Sequence, residues 1–311
     1  MSVPLRNLLQ IPALSSASFH SLPGAGKPSL SHKTWVSGYA EVARGPRLDM
    51  SNSPDWEELQ QLFGAEDDLD RLLLSTLVHP LNDLRENLQS EGDSARTFYT
   101  HVALPVQLAF QQIITQRSEA GPLGSTSVSQ TVDCTWSHKT HCVLAGELKR
   151  HGIINQQMWT GQQGGDNNRK WLGKELRGYC HKYASAAGAV FDGKHLLILI
   201  FIARDREAVR SANCQVQGLL FKYTDTYLRY ALYRTASQQL RRCQAQMAPE
   251  VNIDGYTRHF QWWSGIPYWV DANHQTFYDH PNGHTRTFDA PTGAWFWLTP
   301  NGSVWDTPGL W

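Results

Sequence analysis

The sequence predicts an α/β (α+β) chain: a mixed sheet flanked by helices, followed by small all-β hairpin repeats. Three observations predict it. Helical and strand-like hydrophobic patterns alternate between residues 54 and 247. One arm of a hairpin, Leu196 to Ile202, is apolar throughout, as a strand buried on both faces would be. From Gly255 the composition turns to aromatic, Gly, Pro, Asn and Asp residues, and a shift of 28 residues aligns this tail on itself.

At 311 residues the chain suits one large domain or two modest ones. Lys+Arg and Asp+Glu are both 28, so bulk charge gives no support to unspecific nucleic-acid binding, and any such surface must be local. No apolar run approaches the ~20 residues that span a bilayer, so no membrane partner is expected. The five cysteines include no Cys-x-x-Cys, which suits reduced core thiols in an intracellular protein, nuclear or cytoplasmic. The first 40 residues hold no acid and many serines, and residues 1–50 read as a disordered tail.

The elements follow in order. Residues 54 to 89 read as helical, opened by Pro54 and Asp55, with Trp56, Leu59, Leu62, Phe63 and then Leu69, Leu72, Leu73, Leu77 at helical spacing. Arg96 to Arg117 reads as a further helix bent at Pro105. Gly121 to Thr126 reads as a loop. A hairpin follows, in which the polar Ser137-His138-Lys139-Thr140 divides two strand-like runs. Gln156 to Asn168 is a polar loop, and Trp171 to Ala187 a helix. A second hairpin turns at Asp192-Gly193. Gln215 to Met247 reads as one long helix carrying Lys222, Arg229, Arg234, Arg241 and Arg242 against a single acid, Asp225. This basic stripe is either a nucleic-acid contact or a solvated face.

The first hairpin carries the chemistry. If it closes near Thr140, Asp133 lies opposite Glu147, because the two positions are symmetric about 140. Glu147 and Lys149 are two apart and share a strand face. Opposed carboxylates repel by ~0.2–1 kcal/mol unless a cation sits between them. Mg²⁺ takes one or two protein carboxylates with waters and phosphate oxygens, and a nearby lysine can orient or help deprotonate a water. The plainer alternative is a solvent-facing pair on an edge strand.

In the tail, Gly255, Thr257, Arg258, Phe260, Gly265 and Trp269 recur as Gly283, Thr285, Arg286, Phe288, Gly293 and Trp297. Each unit reads as three short strands. The pattern Gly-aromatic, Gly-x-x-Tyr-Trp-Val-Asp-x-Asn, aromatic-x-x-Pro resembles the WW domain, in two units over residues 255–281 and 283–308. The resemblance implies recognition of proline-rich peptides on an aromatic groove. The groove positions correspond to Tyr278 with Trp269 or its neighbour Tyr268, and to Trp305 with Trp297 or its neighbour Phe296; the strand register decides between neighbours. The signature first tryptophan is absent, being Tyr256 in one unit and His284 in the other. Plain packing of small hairpins is the alternative.

Residues 51–250 read as one domain which, over roughly residues 96 to 247, resembles the PD-(D/E)XK nuclease superfamily, in its fungal form, on Asp133, Glu147-Leu148-Lys149, the helix Leu172 to Tyr183 and the hairpin Gly188 to Phe201. The resemblance implies a restriction-endonuclease-like core of helix, three-stranded meander, helix and strand. It implies Asp133, Glu147 and the Leu148 carbonyl as ligands of Mg²⁺ (or Mn²⁺), and Lys149 as the residue serving the water. It also implies nucleic acid, DNA ahead of RNA, as partner. Two positions depart from the family pattern. No acid lies between Arg96 and Arg117, where Gln107, Gln111 or Gln112 would substitute, and the following helix offers Lys174, Glu175 and Arg177 instead of a glutamine. Two functions are consistent with this: a Mg²⁺-dependent nuclease-like enzyme, or an inactive nuclease-fold scaffold binding proline-rich peptides.

Overall fold

The computed structural model describes residues 3–13, 17–19, 34–42, 48–78, 86–88, 91–120, 131–161 and 167–311. The N-terminal stretch contributes to the core. Strand β1 (Val3–Pro4) leads into α1 (Leu5–Leu9), whose Leu5, Leu8 and Leu9 are buried at helical spacing. Further on, β2 (Ala17–Phe19), a 3₁₀ turn at Thr34–Gly38 and β3 (Leu48–Asn52) follow, and Val36, Tyr39 and Val42 are buried. The expected disordered tail is corrected for these residues: their scattered apolar groups find partners on distant elements. The rest of residues 1–47 lies outside the described residues.

The helix expected over 54–89 is two helices, α2 (Trp56–Phe63) and α3 (Asp68–Leu74). Each opens on a reciprocal capping box, Asp55 with Glu58 and Asp67 with Asp70, and α2 ends at Gly64 with φ 73°. Beyond α3, β4 (Leu77–Val78) pairs with β1, and β5 (Glu86–Leu88) pairs with β2. The next helix, α4 (Glu91–Thr97), passes through a π-wound turn, Phe98–Ala103, into α5 (Leu104–Phe110). Pro105 stands at the start of α5, where its missing N–H is tolerated. The helix expected to reach Arg117 stops at Phe110, and Thr115–Ala120 is strand β6. The loop expected at Gly121 to Thr126 lies outside the described residues.

The central sheet has seven strands in the order β3-β11-β10-β9-β8-β7-β6. Strands β6, β7 (Val132–His138) and β8 (His141–Leu148) form an antiparallel meander. A short α6 (Gln156–Trp159) and the long α7 (Asn167–Lys182) cross over to β9 (Ala187–Phe191), which lies parallel to β8. Strand β10 (His195–Ile202) returns antiparallel through the Asp192-Gly193 turn, where Asp192 accepts the Lys194 and His195 amides. The order helix, meander, helix, strand is thus the one expected.

The long helix expected from Gln215 is corrected: Gln215–Lys222 is strand β11, and only Leu228–Gln246 is helix α8. Asp225 breaks the two apart by accepting from the Lys222 amide at 2.6 Å and the Ser53 hydroxyl at 2.5 Å. Helix α8 is buried on nearly every face, between the sheet, α2, α3 and the C-terminal units.

The tail folds as two sheets. The first holds β12 (Asn252–Ile253), β13 (Tyr256–Phe260), β14 (Pro267–Val270) and β15 (Thr276–Phe277); the second holds β16 (Thr285–Asp289), β17 (Ala294–Thr299) and β18 (Gly302–Trp305). The register repeats with the sequence: Arg258 pairs Trp269 in one unit as Arg286 pairs Trp297 in the other. Trp269 and Trp297 meet edge to face at 4.9 Å, so equivalent residues of the two units form their shared core. Asp306, fully buried, binds Arg258 of the first unit and Arg286 of the second. The tail docks on α8 through Gly265, where a Cβ would fall 2.7 Å from the Arg241–Arg242 peptide, and through Gln244, which donates to Gly293 and Pro308 carbonyls.

Asp70 clamps α3 to α8. It is fully buried and accepts from the Tyr233 and Ser237 hydroxyls at 2.7 Å each, with Arg241 at 3.5 Å and Arg234 at 3.8 Å. Burial by itself would raise its pKa, but the two arginines and two hydroxyls outweigh burial and hold the carboxyl below the usual carboxylate range. Its contribution is therefore present above the unfolded carboxyl's pKa of ~3.9 and is lost as pH falls through the lower folded value. Asp70→Asn is expected to cost ~3–5 kcal/mol at neutral pH in denaturant titration and to flatten the acid limb of the stability profile. Wild-type stability in this variant would contradict the clamp.

Candidate functional site

The β7–β8 hairpin sets the site by its register. Lys139 takes φ 52° in the turn, and near the turn Ser137 pairs Cys142 and His138 pairs His141. A bulge at Val143 then adds one residue to β8, so that beyond it Trp136 pairs Leu144 and Cys134 pairs Gly146. One step further along this ladder Asp133 stands across from Glu147. Gly146 is required there, because a Cβ would lie 2.4 Å from the Cys134 sulfur. The Leu148 amide donates to Asp133 Oδ2 at 2.6 Å, which fixes the Asp133 carboxylate at the start of the motif.

Helix α7 closes the site from above. Its Leu172, Leu176 and Cys180 pack against Val190, Leu197 and Leu199. The adjoining stripe brings Glu175 and Tyr179, one helical turn apart, over β8. Gly178 admits the Trp35 ring beside them, since a Cβ would meet it at 2.3 Å. Lys149 Nζ lies 2.5 Å from Glu147 Oε1 and 3.4 Å from Glu175 Oε2, with all three side chains buried. The Tyr179 hydroxyl lies 3.3 Å from both Glu175 Oε1 and the Thr131 carbonyl oxygen.

Burial works against the Lys149 ammonium, and the Glu147 and Glu175 carboxylates, with Asp133, outweigh it; the net direction is upward from the usual lysine value. Burial, reinforced by Glu147 and Glu175, pushes the Tyr179 phenol far up. At neutral pH Lys149 is thus a proton-bearing donor and Tyr179 a neutral one. Lys149 can orient a nucleophile or neutralise developing charge, whereas deprotonating water would first require losing its carboxylate partners.

The expected glutamine substitutes do not reach the site. Gln107 bonds Gln116 on β6, and Gln111 and Gln112 are exposed. The helix before the meander instead offers Tyr99, whose hydroxyl donates to the Asp133 carbonyl at 3.1 Å. Of the three alternatives on α7, Glu175 faces the site; Lys174 stacks on Trp171, and Arg177 binds the Val209 and Ser211 carbonyls. Sequence reasoning missed Tyr179 as a site residue, although its i+4 spacing from Glu175 was a usable signal.

The basic stripe is corrected. Arg229 donates to the His101, Leu8 and Ala13 carbonyls, Arg234 to those of Phe63 and Gly64, and Arg241 pairs with Asp67 and Asp70. Arg229 and Arg234 are 3 % and 0 % exposed, so these guanidinium groups cement the interior and present no phosphate-facing surface. Lys222 is exposed, but at the end of β11, away from any such stripe.

Register also sorts the tail aromatics. Trp269 and Trp297 face inward and are buried. Tyr268 and Phe296 therefore face outward, Tyr268 stacking on His259 and Phe296 lying 5.4 Å from Trp305. Tyr278 and Trp305 are 61 % and 50 % exposed. The expected pairs of groove residues thus reduce to Tyr268 with Tyr278 and Phe296 with Trp305.

Among the described residues no three His, Cys, Asp or Glu side chains converge to hold one metal ion, and no helix is long and apolar enough to cross a membrane. No family model, curated protein or solved structure matches the chain.

The buried ion triad makes a direct prediction. Lys149→Met leaves Glu147 and Glu175 facing each other without a counter-charge and is expected to lose ~3–5 kcal/mol in denaturant titration. Adding Glu147→Gln and Glu175→Gln should recover most of that loss. A single variant as stable as wild type would show that the triad is not closed in solution.

Proposed function

We propose that the chain is a divalent-metal-dependent, nuclease-like hydrolase of phosphodiester bonds in nucleic acid, with the aromatic tail units as a partner-binding element. The observation that carries this reading is the meeting of Asp133, Glu147 and Lys149 on one face of the meander beneath α7. The donor chemistry suits the metal. Mg²⁺ or Mn²⁺ takes hard oxygens and ordinarily asks a protein for one or two carboxylates, which Asp133 and Glu147 supply with the Leu148 carbonyl. Bound there, the ion would polarise a phosphoryl oxygen and stabilise its developing charge.

The chain's own residues have distinct tasks. Lys149, held as an ammonium, orients the attacking water and counters charge on the phosphorus-bound oxygens. Glu175 holds Lys149 in place from α7. Tyr179 braces Glu175 and keeps the cluster closed to bulk water on the helix side. Tyr99 and the Leu148 amide fix the two ends of Asp133, its carbonyl and its carboxylate.

A second reading, a nuclease-fold scaffold that binds proline-rich peptides, is favoured by one set of observations. The arginines of α8 are interior, the net charge is zero, and four aromatic side chains stand on the outer face of the tail.

One set of preparations separates the readings. Supercoiled plasmid, single-stranded DNA and RNA are incubated with the full chain in Mg²⁺ or Mn²⁺, beside Asp133→Asn, whose half-buried position tolerates the change. The hydrolase reading expects cleavage by wild type and a loss of ~10²-fold or more in the variant. Absence of metal-dependent cleavage by wild type on all three substrates, with tryptophan fluorescence quenched by a proline-rich peptide and insensitive to it in Trp305→Ala, would replace it with the scaffold.

A further inference from the structure

A pocket of about 370 Å³ opens at the turn end of the β7–β8 hairpin. Its charged lining is one-signed. Arg117 comes from β6, Lys139 from the hairpin turn, Lys182 from the end of α7 and Arg206 from the segment after β10. Among the described residues no carboxylate lines it. Those adjacent to Arg206 in sequence are engaged elsewhere: Asp205 accepts from Arg204 and the Ala208 amide, and Glu207 from His181. Hydroxyl donors stand between the cations, from Thr115, Thr135 and Ser137 on the sheet and Tyr183 on the helix.

Four cations drawn from four separate elements repel one another, and a fold gathers them readily where an anion repays the cost. The end of a helix would oppose an anion with its exposed carbonyls. Here Arg206 covers them, donating to the His181 carbonyl at 2.7 Å and the Lys182 carbonyl at 3.4 Å. The Lys182 ammonium rests 3.4 Å from the Trp35 ring centroid, a cation–π contact that orients this side chain beside the pocket. Lys139 reaches the Gly309 carbonyl at 3.1 Å, so the tail steadies that side.

The pocket and the carboxylate site share one sheet face. Ser137 and Thr135 alternate with buried Trp136 and Cys134 and lie on the same side of β7 as Asp133. Arg117 and Thr115 pair directly with Thr135 and Ser137 and so share that side. Four residues separate Ser137 from Asp133, a distance of ~13 Å at ~3.3 Å per residue. Successive phosphates of one strand lie farther apart than the ~3.4 Å axial rise, so a strand of a few nucleotides covers that span.

We infer that this pocket is an anion site that holds a backbone phosphate of a nucleic-acid strand a few nucleotides from the bond placed at Asp133 and Glu147. The site rests on the phosphodiester reading for its ligand, while its chemistry is that of any phosphate. It supplies a local basic surface on a chain of zero net charge, and it lies away from the α8 arginines.

The test uses the full chain in chelator, so that binding is read without cleavage. Fluorescence anisotropy follows a labelled eight-nucleotide oligothymidylate, and a two-nucleotide one, on wild type and Arg117→Gln/Lys139→Gln. Both residues of the double variant are exposed, and circular dichroism checks its fold. Wild type should bind the longer strand and bind the shorter one far more weakly. The double variant should lose about tenfold or more, with the slope of log affinity against log salt reduced by about 1.4, at ~0.7 per phosphate contact on single strands. Inorganic phosphate should compete. Equal binding by wild type and the double variant overturns the site, as does failure of wild type to bind the longer strand at low salt, even where inorganic phosphate alone binds. The outcomes separate the two proposals: strand binding lost with the double variant, without cleavage by wild type, keeps the pocket and removes the hydrolase, whereas cleavage with pocket-independent binding does the reverse.

Discussion

The Lys149 ammonium, held between Glu147 on its own strand and Glu175 on the crossing helix, is the interaction on which the rest of the central domain depends. A buried charge of either sign is costly alone, and only the assembled set is tolerable. That requirement fixes β8 against α7, and with them the meander and the parallel strand β9. The same three charges that lock the fold are those placed beside Asp133. The hydrophobic stripes of α7 locate the helix; the ion triad sets its rotation.

A similar economy of buried charge runs through α8. Its arginines reach carbonyl ends and carboxylates of segments 128 to 221 residues away, from α1 to the π-wound turn, and so knit the N-terminal elements onto the core. The planar guanidinium suits this, offering several donors in one plane to closely spaced carbonyls. The tail units then pack on the far side of α8, joined to each other by Trp269 against Trp297 and by the shared carboxylate of Asp306. Equivalent positions of a repeat have thus become partners in one core, and the outward aromatics remain for other contacts.

The placement of Asp133 opposite Glu147 was legible because hairpin symmetry is arithmetic, and the Val143 bulge preserved it by adding the residue that the two-residue turn removed. The repeat was legible for the same reason: identical spacing gives identical register. What could not be read was depth. Arg229 and Arg234 look like a solvated stripe, because their carbonyl partners are distant in sequence and nothing local announces them. Gln215–Lys222 was absorbed into the helix behind it, since a short strand of mixed polarity has no periodicity long enough to exclude a helix. Leu5, Leu8 and Leu9 were hidden by a polar, serine-rich context that masks a single apolar turn. The inward tryptophans and outward Tyr268 and Phe296 are adjacent pairs, and strand pairing alone decides which of each faces the core.

Whether Asp133 and Glu147 hold a divalent cation beside a charged Lys149 decides the proposed hydrolase most directly. Calorimetric titration of the full chain with Mn²⁺, in wild type and in Asp133→Asn, measures this without reference to any substrate. One Mn²⁺ bound per wild-type chain, and loss of that binding in Asp133→Asn with the fold unchanged, is the predicted result. No heat of binding to wild type, or equal binding by both proteins, would contradict it.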